Sequence, residues 1–285
     1  MRIKPFQRQL GFVAIELMAI LVILFFLAGI ALPMIGNAKS KSASLLCLNN
    51  HKQVALAWQL YAQDNEGESA NNYTIQSTQL AIQSNAFDNW ANNIMTWSTG
   101  GGIPETSVTN ELWVTKGTLH PFTDGDIDLY RCPSDRYLSP AQRQRGYTKR
   151  VRTMSMNGLV GRSEKNAPDT GRSWGFGGEY RQWLKARDIV NPAMTWLTID
   201  EHPDSINDCF FINSLGSSVW GDIPATLHDR SSSFSFADGH AESRKWRSSR
   251  IRYPVTFRYP NVRAFDAEGR KDYAWYTERI GLVRY

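Results

Sequence analysis

Hydropathy changes character three times along the chain. From Phe12 to Leu32 nearly every position is apolar, and the one carboxylate is Glu16. At a helical rise of ~1.5 Å per residue such a run spans about 30 Å, the thickness of a bilayer's hydrocarbon. One transmembrane helix over 12–33 is predicted. Apolar residues return at helix-like spacings at Leu45, Leu48, Val54, Leu56, Trp58 and Tyr61, which predicts an amphipathic continuation over 34–66. The stretch from Asp64 to Gly67 supplies a stop. Residues 68–110 are rich in Asn, Ser, Thr and Gly without a period, and read as a loop-rich insertion. Short β-prone stretches come next, LYRCPSD at 129–135, RTMSMNG at 152–158, MTWLTI at 194–199 and CFFIN at 209–213, most of them ending in turn residues. In FSFADGHAE, Asp238-Gly239 is a two-residue type I′ turn signal. That register sets Phe236 opposite Ala241 and Phe234 opposite Ser243, and leaves Trp246 on the other side, so a bulge or second packing face is required. The fold expected is α+β, a long N-terminal helix on an antiparallel β-sheet within a globular β-rich domain over 67–285.

Charge orients this plan. The formal net charge is +5, and Arg2, Lys4 and Arg8 precede Gly11 with no acid among them. The positive-inside rule then keeps residues 1–11 cytoplasmic and exports the chain beyond Leu32. Beyond Gly11 the balance is 29 basic against 27 acidic residues, too even to argue for a nucleic-acid partner. A cleaved secretory signal would need a shorter apolar region, and Ala28 to Ala31 offers only a weak small-residue site for it. The hydrophobic fraction of 42% supports a real core and sets disorder aside. Cys47, Cys132 and Cys209 form no CxxC pair, so they fit neither a zinc cluster nor a dense disulfide scaffold.

A carboxylate in hydrocarbon costs ~2.5 kcal/mol or more, and marks a functional pairing. The run contains no Lys, Arg or His, so the complementary charge comes from another molecule or from processing. Cleavage between Gly11 and Phe12 would create one, the Phe12 α-amino group, four residues from Glu16. With the short basic leader, Gly11-Phe12-Val13-Ala14-Ile15-Glu16 resembles the processing site of type IV pilins and type II secretion pseudopilins. The resemblance implies a prepilin peptidase that cuts after Gly11 and methylates Phe12. It also implies that Glu16 neutralises the amine of a neighbouring subunit during assembly. Pro33 stands where pilins commonly carry a helix-kinking proline. Nine residues separate His228 from Asp238-Gly239, and RCPSD, DEHPDSIND and FSFADGHAE add to the likeness. Together they resemble the prepilin-type, processing-associated H-x9-DG family of planctomycete and verrucomicrobial type, with Cys209 where a small residue is more usual. The implied role is a structural subunit of a pilus-like or G-type pseudopilin assembly, single-pass in the inner membrane, with its body periplasmic or extracellular. Its partners would be the peptidase, other subunits and membrane lipid.

Several groups carry candidate chemistry. His228 and Asp238 suit a metal or catalytic pair, or a His that bonds the turn Asp238 begins. Asp200, Glu201, His202, Asp204 and Asp208 suit a calcium loop or a solvated acidic loop, and no EF-hand spacing is present. Cys47 and Cys132 could join in an oxidising compartment and tie helix to sheet. Arg244 to Tyr285 carries eleven basic and four acidic residues among aromatics, which suits acidic polysaccharide, lipid headgroups or DNA, or a solvated face whose long side chains cover aromatics. No G-x-S-x-G, H-E-x-x-H or P-loop occurs, and no cofactor other than calcium is suggested. Two other classes remain open: a membrane-tethered periplasmic metal-dependent hydrolase using His228, Asp238 and the acidic loop around His202, and a carbohydrate-binding surface module with exposed tryptophans.

Overall fold

The computed structural model describes residues 14–100, 107–168 and 170–284, with backbone alone at 14, 15 and 28–39. Gly11 and Phe12 lie outside the described residues. The chain divides into two compact units, Met1–Ser42 and Ala43–Tyr285. Helix α1, Ala14–Asp64, crosses that boundary as one element of 51 residues and includes Pro33 in its helical backbone. Among the described residues no helix is long and apolar enough to cross a membrane. The run from Phe12 to Leu32 falls only partly within them.

The second unit is α+β. Helices α2 (Ile75–Gln83), α3 (Leu112–Thr115) and α4 (Pro140–Gln144) precede and α5 (Ala267–Glu278) follows a sheet of β1 (Met154–Asn157), β2 (Trp196–Asp200), β3 (Phe210–Phe211), β4 (Ser231–Phe236) and β5 (Ala241–Lys245). The strand order is β3-β1-β2-β4-β5. Every pairing is antiparallel except β1 with β3, which is parallel, so the sheet is mixed rather than the antiparallel one expected. LYRCPSD is not a strand end: Ile127–Tyr130 is a 3-10 turn.

Both faces of the central strands are covered, and they differ in chemistry. A register shift between Trp196 and Thr198 turns Trp196 to the side of Phe234, where Trp196 meets Phe211, Phe234 and Tyr276 at centroid distances of 5.6–6.0 Å. Phe234 also meets Trp275 at 5.2 Å, so this aromatic face packs on α5. The opposite face offers small and polar groups. There Thr198 Oγ1 and Ser235 Oγ lie 2.5 Å apart, and His51 Nδ1 of α1 lies 2.7 Å from Thr198 Oγ1. Short side chains let α1 come close to the sheet.

The buried stripe of α1 differs from the apolar one in the sequence. Cys47, Asn50, His51, Val54, Trp58 and Ala62 are buried, whereas Leu45, Leu56 and Leu60 are exposed. Leu–water contact is costly, so these leucines are an unspent apolar surface. The hairpin also departs from expectation. Ser235 pairs with Ala241 and Phe234 with Glu242, and only Gly239 of the Asp-Gly pair has positive φ, at +94°. This is a three-residue loop with glycine in the left-handed position. A slip of one residue exchanges the faces of a strand, which brings Trp246 beside Phe234 at 6.0 Å and removes the need for a second packing face. Gln59 Nε2 donates to Ala237 O at 3.1 Å, and a Cβ at Gly239 would approach the Gln59 amide to 3.1 Å. The turn is therefore seated on α1.

The described part of 68–110 is loop-rich, as expected, with α2 within it, but it is packed rather than loose. Asn72, Asn89, Asn92 and Asn93 are fully buried with Trp90, and their amides stand in for missing backbone partners. Asn72 Nδ2 donates to Met156 O at 3.2 Å and Asn157 O at 3.1 Å, and Asn72 Oδ1 accepts from Trp90 Nε1 at 3.0 Å.

Candidate functional site

Five chemically active side chains meet under α1, at the C-terminal end of β2. Cys47 and His51 are one helical turn apart on the buried stripe of α1, as spacing i, i+4 requires. Asp200 ends β2. Cys132 sits just after the 3-10 turn at Ile127–Tyr130. His228 precedes a tight turn whose two residues, Asp229 and Arg230, both have positive φ, at 47° and 63°, and Ser231 N closes it on His228 O at 2.9 Å. The type I′ geometry expected at Asp238-Gly239 thus occurs here, without glycine. Two non-glycine residues in this region cost of order 1 kcal/mol or more each and persist where packing dictates them. In this protein they set His228 against Cys132.

The distances are short and the cluster is dry. Cys47 Sγ lies 2.9 Å from Asp200 Oδ2, His51 Nε2 3.2 Å from the same oxygen, and Cys132 Sγ 3.1 Å from His228 Nε2. All five residues are buried, none more than 7% exposed. Two triads, Cys47–Cys132–His228 and Cys47–His51–Asp200, each keep their donor atoms within 4.8 Å of one another and share Cys47. A second layer fixes the first. Thr153 Oγ1 donates to Asp200 Oδ1 at 3.0 Å while accepting from Cys132 N at 2.7 Å, and Thr198 orients His51.

The single Cys47 S–H faces both Asp200 and the Cys132 sulfur. Contact with Cys132, then burial and Asp200, push the Cys47 thiol well above its ordinary range. The Cys132 thiol is held below its own by the Cys47 hydrogen bond, against the effect of burial. Burial works against the Asp200 carboxylate, yet His51 and the bond from Cys47 hold it below the usual range. His51 Nε2, although fully buried, has no aligned hydrogen-bond partner.

The remaining expected site residues go elsewhere. His228 does not bond the turn at Asp238, whose Oδ1 instead takes His240 Nδ1 at 2.6 Å and His240 N at 3.1 Å. The acidic segment is neither a solvated loop nor a calcium cage. Glu201 accepts from Ser155 at 2.7 Å and Ser205 at 2.8 Å, His202 Nε2 faces Tyr253 O at 3.0 Å, Asp204 accepts from Thr256 N at 2.7 Å and Phe257 N at 3.0 Å, and Asp208 accepts from Phe210 N at 3.0 Å. Each is buried on a different partner, so only Asp200 keeps a place in a donor cluster. Cys47 and Cys132 are adjacent as the expected tie requires, but as free thiols rather than a disulfide, and Cys209 is free and buried as well. His51 had no sequence signal beyond its i, i+4 relation to Cys47.

The basic C-terminal segment is largely spent internally. Arg244 reaches Asp272 at 3.3 Å, Lys271 reaches Glu268 at 2.5 Å, and Arg279 stacks over Trp275 at 4.6 Å. Twelve of its residues form α5 rather than the face of strands. Trp58, Trp90, Trp183, Trp196, Trp220 and Trp246 are buried while Trp174 is exposed, which takes away most of the stacking platform a sugar-binding surface needs. Comparison of the chain with family models, with curated proteins and with solved structures finds no match.

Proposed function

We propose that the chain is a pilin-like structural subunit, an inner-membrane precursor cut after Gly11 by a prepilin peptidase, whose work is assembly rather than catalysis. One observation carries this reading. A single unbroken helix of 51 residues exposes Leu17, Leu21, Leu24 and Phe25 along its first part and continues into a stripe that holds the sheet. Bare apolar side chains of that kind are covered at low cost by lipid or by the same helix of neighbouring subunits. Leu45, Leu56 and Leu60 are exposed on the part of α1 that holds the sheet, and offer a second apolar surface to a neighbouring subunit. Glu16 stands in the first turn of α1, four residues beyond Phe12 in the sequence. Its pairing with the amine of a neighbour sets the register of subunits, while the body remains outside the inner membrane. The leader and the Gly11–Phe12 junction support the reading from sequence.

Glu16→Ala is the test. With a photo-crosslinker at exposed Leu56, the variant is expected to stay in the membrane fraction and lose subunit-to-subunit crosslinks. Crosslinking at the wild-type level would remove Glu16 from assembly.

A further inference from the structure

We propose that Cys47, Cys132 and His228 bind one zinc-class divalent ion, that the Asp200 carboxylate completes a tetrahedron, and that His51 holds Asp200 in place. The donor atoms come from α1, from the segment after the 3-10 turn at Ile127–Tyr130, from β2 and from the hairpin at Asp229–Arg230, so convergence is a product of the fold and not of a local motif. Edges of a tetrahedral zinc site with sulfur and nitrogen or oxygen ligands are about 3.3–3.8 Å. The gaps of 2.9 Å at Cys47–Asp200 and 3.1 Å at Cys132–His228 need an outward shift to match, and Cys47, Cys132 and His228 already hold their donor atoms within 4.8 Å of one another.

Three independent features favour an ion over a hydrogen-bonded knot. The one S–H of Cys47 lies between Asp200 Oδ2 and the Cys132 sulfur and can be aimed at one of them at a time. His51 Nε2 is fully buried, points at Asp200 and lacks an aligned partner. Finally, the strained turn at Asp229–Arg230 holds His228 on the sulfur of Cys132. Two thiolates with imidazole and one carboxylate select a borderline-soft ion and reject calcium and magnesium, which take oxygen. With no open face on the site, the ion would pin α1 to the sheet as a structural centre, and any thiol protons it displaces leave to water. Such a centre would form whether or not the chain assembles with others.

Metal content of the full-length protein tests it, after purification in detergent under reducing conditions with zinc present. About one zinc per chain is expected. Cobalt in its place should give thiolate-to-cobalt charge-transfer absorption. His51→Ala should keep that absorption but weaken zinc binding roughly 10–100-fold, as loss of an outer-shell partner does. Cys132→Ser should lose the absorption and Cys209→Ser should keep it. Wild-type protein without zinc and without the cobalt band overturns the proposal, as does a Cys47–Cys132 disulfide in protein taken directly from its native envelope. The wild-type cobalt spectrum decides the matter even where a variant fails to fold.

Discussion

Asp135→Ala is expected to lower stability by about 3–5 kcal/mol, the cost of breaking a buried ion pair from one side. Asp135 Oδ2 lies 2.6 Å from Arg150 Nη2, and the two side chains are 1% and 2% exposed. Without the carboxylate, the Arg150 charge keeps only Pro203 O at 3.3 Å and the ring of Trp97 at 4.6 Å. Asp135 N also bonds Cys132 O at 3.0 Å, a backbone bond that the substitution keeps. Urea unfolding measures the loss. Asp135→Leu combined with Arg150→Met should recover most of it, because the cost belongs to the orphaned charge and not to a missing attraction. A loss under about 1 kcal/mol for Asp135→Ala would mean that water reaches Arg150 and that the pair is a surface one.

The second large effect is a fall in stability as pH rises from 7 to 8. Lost solvation pushes the half-buried Asp222 carboxyl up to about 8 and the buried Asp208 up to about 6, while Glu201, fully buried and facing Asp222, is raised well above its usual range. The phenols of Tyr259 and Tyr276 are the other titratable groups there. A carboxyl whose folded pKa is raised contributes most below its unfolded pKa near 4, and loses that contribution as pH climbs to the folded value. For Asp222 the slope is about 1.4 kcal/mol per pH unit up to pH 8. His202 has a lowered pKa, so it adds stability only as pH rises to about 6.5 and does not mask the later fall. Asp222→Asn should keep the bond from Ile212 N, 2.7 Å in the native chain, and flatten the curve between pH 7 and 8. Equal slopes in variant and wild type would show that Asp222 ionises in the fold without penalty.

The sequence gives up some of this structure readily and hides the rest for physical reasons. Hydropathy reveals α1, but it cannot tell which side of an amphipathic helix faces the sheet when the sheet offers Thr198 and Ser235. Leucine then faces outward and Cys47 and His51 inward. The Asp-Gly pair marks its hairpin, yet two- and three-residue loops share that pair, and the choice decides every side chain's face. The misplacement of Trp246 in the two-residue register was the available warning. The segment over 68–110 looks like loop because buried asparagine and exposed asparagine read alike. The donor cluster is assembled from positions 47, 51, 132, 200 and 228, and only the first two share a local spacing. It arises from topology, which composition does not encode.

The decisive measurement is the intact mass of the N-terminal peptide of the protein recovered from its native membrane. The account predicts a chain that starts at Phe12 with a methylated amine. A chain that still starts at Met1, or that begins beyond Leu32, would contradict it.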